Sequence, residues 1–140
     1  MKKSIFLYVA LLLGSSQVIA AEDTREMVKL PEMMQGHMLA SMRNHLETIN
    51  LILLQMSKGE LDKAADTAEQ RLGMSSLETH DAKHLAQFMP EGMQAAGTRM
   101  HHAASRFALR AQEGEALPAY TALQEVTAAC VACHAGYRIR

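Results

Sequence analysis

The chain has 140 residues and a formal charge of −1; 49 % of its side chains are apolar and 4 % aromatic, with no Trp but 11 Met and 7 His. That size suits one ordinary core, and a mildly acidic balance with no Lys/Arg cluster argues against nucleic acid or an anionic membrane as partner. The two Cys sit three residues apart, too short a loop to staple such a domain as a disulfide.

The first segment reads as an export signal. Lys2 and Lys3 precede an apolar run from Ile5 to Leu13, and Val18-Ile19-Ala20 offers small residues for cleavage. Residues 1–20 are expected to be a signal peptide leading to the periplasm, and 21–140 the working domain. Removing Lys2 and Lys3 moves the formal charge to −3. No later apolar segment approaches the roughly 20 residues of a membrane span.

Helix signals then recur along the chain. Leu30-Pro31-Glu32 opens a helix, with Pro suited to the first turn and an acid to the dipole. It runs to Lys58-Gly59, where Gly is a natural stop. Met42, Leu46, Ile49, Leu53 and Met56 step by four and three, the expected core stripe. A second helix covers about Leu61 to Leu72 and stops at Gly73. Ser75-Ser76-Leu77-Glu78 fits a capping box opening a short segment to about Phe88. Pro90-Glu91 opens a helix to Glu113-Gly114, with Met93, Gly97, Met100, Ala104, Phe107 and Ala111 on one stripe. Its small residues leave room for something bulky. Pro118 opens the last helix, to about Ile139, with Tyr120, Leu123, Thr127, Cys130, His134 and Tyr137 on its stripe. The fold expected is all-α, an antiparallel four-helix bundle without repeats or linkers.

The chemistry concentrates in the last helix. Cys130-Val131-Ala132-Cys133-His134 is C-x-x-C-H, the attachment signature of c-type haem. Residues i, i+3 and i+4 share a helix face, so both thiols can add to the vinyl groups along one haem edge while His134 turns its imidazole to the iron. A redox dithiol would be expected beside a βαβ pattern, and a zinc site would need a second ligand pair. The sequence offers neither.

The ending Ala128-Ala129-Cys130-Val131-Ala132-Cys133-His134-Ala135-Gly136-Tyr137-Arg138 resembles the C-terminal helix of the cytochrome c′ and cytochrome c-556 family, periplasmic four-helix-bundle haem proteins. The likeness is strongest over 123–140, fair over 31–59 and thin between 74 and 115. It implies one covalent haem c on the C-terminal helix, with Cys130 and Cys133 as thioethers and His134 as the proximal iron ligand. Arg138 matches the family's basic residue one turn after that His, where it would sit near the imidazole. A cation at a helix C-terminus explains Arg138 equally well.

The resemblance also bears on the sixth iron ligand. Eleven residues on from the opening Pro stands Met42, where the c-556-like branch has a ligating Met and cytochromes c′ proper have a non-ligating apolar residue. Met42 is therefore the expected distal ligand, with Met38 and His45 competing and plain core packing the bland account. Four residues before Met42, the family's propionate-binding Arg is replaced by Met38, and Arg43 follows instead.

Other clusters read less sharply. His80-Asp81-Ala82-Lys83-His84 echoes the zinc-protease pattern H-E-x-x-H with a shorter acid and no third ligand, and is expected to be a solvated face. His101 and His102 point in different directions, one toward the haem pocket side and one to solvent. Met33, Met34, His37, Met38 and Met42 offer soft ligands that Cu(I) favours, which makes a periplasmic copper-binding protein the remote alternative.

The reading is thus a one-electron carrier between periplasmic redox proteins, not an enzyme. The alternative is a five-coordinate gas-binding module taking nitric oxide or carbon monoxide. The resemblance allows a homodimer through the first two helices.

Overall fold

The computed structural model describes residues 22–77 and 82–140. The expected signal peptide, residues 1–20, lies outside the described residues, as do His80 and Asp81 of the protease-like pattern. Five helices carry most of the described chain: α1 (Glu32–Ser57), α2 (Leu61–Arg71), α3 (Ala82–Ala86), α4 (Glu91–Gln112) and α5 (Ala116–Gly136). A 3₁₀ turn spans Met74–Ser76, and two short strands, β1 (Glu26–Met27) and β2 (Tyr137–Arg138), pair in parallel. No helix among the described residues is long and apolar enough to cross a membrane.

Local chemistry explains the helix ends. Pro31 and Pro90 take the N-cap positions of α1 and α4 with extended ψ, and Glu32 and Glu91 fill the first turns. Gly59 and Gly114 follow α1 and α4 with φ of 74° and 80°, a left-handed conformation that glycine adopts without a Cβ clash. α5 begins at Ala116, two residues before Pro118. Pro fits anywhere in a first turn, whose N–H groups have no intrahelical partner. α5 also ends earlier than its pattern suggests, because Tyr137 and Arg138 leave the helix to pair with Glu26 and Met27.

Glu78 of the expected capping box lies outside the described residues. Ser75 donates from both its backbone N–H and its hydroxyl to Glu69 Oε1, at 3.1 and 2.6 Å, so it ties the turn back to α2. Met74 N–H donates to Ser105 Oγ at 2.9 Å, which fastens the same turn to α4.

α2 packs on α1 and on α4, and α4 packs most extensively on α5. α1 and α5 show no comparably close backbone approach. The main core joins Ile52 and Met56 of α1, the alanines of α2, Phe107 of α4 and Val126 of α5. A second apolar cluster lies apart from it, with Val28, Leu30, Met38, Leu85 and Met93 buried. Packed against these are half-buried Met34, Met42, Met89, Cys133, Tyr137 and Ile139. Burying Val28 and Leu30, 3 % and 7 % exposed, stabilises the N-terminal segment by roughly 1.5–3 kcal/mol per side chain.

Two predicted stripes are rotated. On α1 the buried residues are Met38, Thr48, Ile52 and Met56, while Leu46 and Leu53 are 71 % and 43 % exposed. On α5 the inward line is Ala119, Ala122, Leu123, Val126 and Ala129, and Tyr120 and His134 are exposed. Both helices carry apolar residues on adjacent flanks, and the neighbours select between them. The α4 stripe stands as expected, with Met93, Met100, Ala104, Phe107 and Ala111 all buried.

The rotation has a measurable consequence. Phe107→Ala, at a fully buried site, should cost about 3–5 kcal/mol, whereas Leu46→Ala should stay within about 0.5 kcal/mol. Equilibrium urea unfolding of the two variants checks the order, and a larger loss at Leu46 would contradict the observed α1 face.

Candidate functional site

α5 carries Cys130, Cys133 and His134 over its last two turns. Both cysteines are free thiols and half-buried. The α5 stretch before them, with Ala119, Ala122, Val126 and Ala129 buried, packs tightly on α4 and so fixes how the thiols face. Cys130 packs against the main core and Cys133 against the second cluster. The pair thus sits at the join between the two apolar regions.

Burial pushes both thiols above the ordinary cysteine range. The neighbouring Cys130 raises Cys133 further, and the positive charge of Arg99 on α4 partly offsets this. Catalytic dithiols show the reverse, a depressed pKa that supplies thiolate at neutral pH. Nor do the donors form an ion site: among the described residues no three His, Cys, Asp or Glu side chains gather where a metal ion could sit. Cys130, Cys133 and His134 therefore do not converge on one point.

His134 is exposed, and its carbonyl accepts from Arg25 Nη1 at 3.5 Å. Arg138 lies in β2, beyond the helix, with Nε 3.4 Å from Asp23 Oδ2. The same oxygen accepts from Arg25 Nη2 at 2.8 Å. Hydrogen bonds from Arg25 first, and the charge of Arg138 more weakly, hold the Asp23 carboxyl well below the usual carboxylate range.

The candidates for a further iron ligand separate in space. Met38, buried, and Met42, half-buried, both belong to the cluster that takes Cys133. His45 instead faces His101 of α4, with ring centroids 6.4 Å apart and planes near perpendicular. His101 is buried, and its Nδ1 lies 2.8 Å from the Leu72 carbonyl, to which it donates. His102 is exposed. With Arg99 and Arg106 it lines an open groove of about 460 Å³ between α4 and α5, floored by Ala128, Ala129 and Ala132. Met33 is exposed and stands apart from the soft-ligand group; His37 is exposed as well.

Several residues that shape this region escaped the sequence reading. Val28 and Leu30 precede the first helix signal, and only their alternation with polar neighbours marks them. Met89 joins the cluster from the stretch between α3 and α4. Arg99 acts on Cys133 only because α4 lies beside α5. A Cβ built on Gly92 would collide with the Tyr137 hydroxyl, so a small residue at the start of α4 admits the ring that follows the motif.

No family model matches the chain, and neither the curated proteins nor the solved structures offer a match.

The thiol environment yields a pH prediction for the haem-free chain. Alkylation of Cys130 and Cys133 should reach half its maximal rate above the ordinary cysteine value of about 8.5. Rapid alkylation at pH 7 would instead mark a thiolate of the redox type.

Proposed function

We propose that this chain is an exported monohaem c-type cytochrome, an antiparallel four-helix bundle that carries single electrons between periplasmic redox proteins. The observation that carries the reading is the position of C-x-x-C-H on α5, with Cys133 facing the apolar cluster to which α1 contributes Met38 and Met42. Three-residue connections, 58–60 and 113–115, join the packed pairs α1/α2 and α4/α5, lengths that favour antiparallel neighbours. On this reading α1, α2, α4 and α5 form the bundle, and the looser α1/α5 seam is where a bulky planar group enters.

The residues suit that group. Two protonated thiols one turn apart can each add S–H across a vinyl C=C, giving two thioethers with no leaving group. His134 and Met42 would hold the iron. A haem bound there would supply a one-electron Fe(III)/Fe(II) couple, and His/Met ligation would favour the reduced state. The protein's part would be to hold these two side chains from different helices and to keep water from the second cluster. Arg138 contributes through Asp23 and the strand pairing more than through the His134 ring.

The absorption spectrum of protein matured with haem tests the reading. A low-spin reduced spectrum indifferent to carbon monoxide is expected, and Met42→Ala should turn it high-spin and CO-responsive. A wild-type spectrum that already responds readily to CO would favour the gas-binding module, with Met42 as core. If Met38→Ala alone converts the spectrum, the distal ligand is Met38. Cys130→Ser with Cys133→Ser should leave haem extractable by acid-acetone. Copper bound with no covalent haem would favour the remote alternative.

A further inference from the structure

We infer that residues 22–30 form a strap that closes the cofactor cluster and positions the His134 end of α5, an inference that rests on the haem reading above. Three independent sets of contacts place it there. First, β1 pairs with β2 directly after the C-x-x-C-H motif, Glu26 opposite Tyr137 and Met27 opposite Arg138. Val28 N–H extends the ladder to the Arg138 carbonyl at 2.8 Å. Second, Val28 and Leu30 are buried in the cluster that holds Cys133, Met38 and Met42. Third, Arg25 spans the gap between strap and helix, donating to Asp23 through Nε and Nη2 and to the His134 carbonyl through Nη1. Asp23 in turn meets Arg138.

The division of labour follows from exposure. Asp23 and Arg25 have side chains about two-fifths exposed, so their ion pair adds little holding power. Its value is to orient the groups that cross to the other end of the chain, Arg25 Nη1 to the His134 carbonyl and Asp23 to Arg138, which mark the register against β2. Two-residue strands hold weakly by themselves, so closure depends on the two apolar side chains. When the strap lifts, Cys133 loses its cover while Cys130, packed against the main core, keeps its own. The strap-open form is then the one that admits a haem to both thiols, and the strap-closed form shields the distal side and braces His134 through its carbonyl. Val28, Leu30, Arg25 and Asp23 are positioning residues in this scheme, and none of them touches the iron.

The asymmetry between the two thiols provides a test that needs no haem. In the haem-free chain, Val28→Asp should speed alkylation of Cys133 about tenfold while Cys130 changes less than about twofold, as expected for local and not global opening. Asp23→Asn combined with Arg25→Gln removes only exposed groups. It should give the same selectivity at about two- to threefold, and it decides the matter if Val28→Asp unfolds the chain and exposes both thiols together. In the haem-loaded protein the same variants should retain covalent haem and have a lowered midpoint potential. Equal acceleration of both thiols, or of neither, in the Asp23/Arg25 double variant overturns the strap. Wild-type protein that never acquires covalent haem overturns the cytochrome reading instead, and the alkylation asymmetry remains readable in that case.

Discussion

The close packing of α4 on α5 is the constraint from which the site follows. Buried Ala103, Ala104, Ala108 and Ala111 on α4 share one core with Ala119, Ala122 and Ala129 on α5, and small side chains let helix axes approach toward the near end of the usual 8–10 Å. Such an interface fixes the rotation of α5 about its own axis. That rotation turns Cys130 toward the main core, Cys133 toward the second cluster and His134 outward. Each alanine buries little area, so cohesion comes from many short contacts and from the few large anchors, Phe107, Ile52, Leu72 and Val126. The groove on the outer side of the same interface is a by-product of that closeness, with Arg106 and Glu125 paired across it at 2.7 Å.

The two apolar regions differ in texture, and the difference fits the proposed role. The main core is alanine-rich around one buried phenylalanine and four branched side chains, Ile52, Leu72, Leu123 and Val126. The second cluster collects five methionines with Val28, Leu30 and Leu85. Methionine is unbranched and fills irregular space at low strain, which suits a region that must re-form around a large planar group. Tyr137 is the only aromatic ring there among the described residues, so most of the side chains that such a group would meet are flexible or aliphatic.

Much of the fold was legible because its signals are local. Pro31 and Pro90 mark starts, Gly59 and Gly114 mark stops, and the α4 stripe is apolar on one flank only. The tie from Ser75 back to Glu69, six residues earlier, is invisible to a four-residue pattern. Of the expected α1 stripe, Met56 is buried and Ile49 packs on the core, but Leu46 and Leu53 are exposed, because the neighbours chose the adjacent flank with Met38, Thr48 and Ile52. Periodicity ranks neither flank above the other. The strap was missed altogether, since Glu26–Met27 and Tyr137–Arg138 are too short to show alternation and are separated by nearly the whole domain.

By itself the sequence determined the spacing of Cys130, Cys133 and His134, the helical character that puts the thiols one turn apart, and the places where most helices begin and end. Each of these is settled within a turn or two of backbone. Tertiary structure decided which flank of α1 and α5 faces inward, which cluster each thiol meets, and that Val28 and Leu30 are buried in the cluster against which Cys133 packs. Those outcomes depend on neighbours far along the chain, because a helix with apolar residues on two adjacent flanks has no preferred inward face until another element packs against one of them.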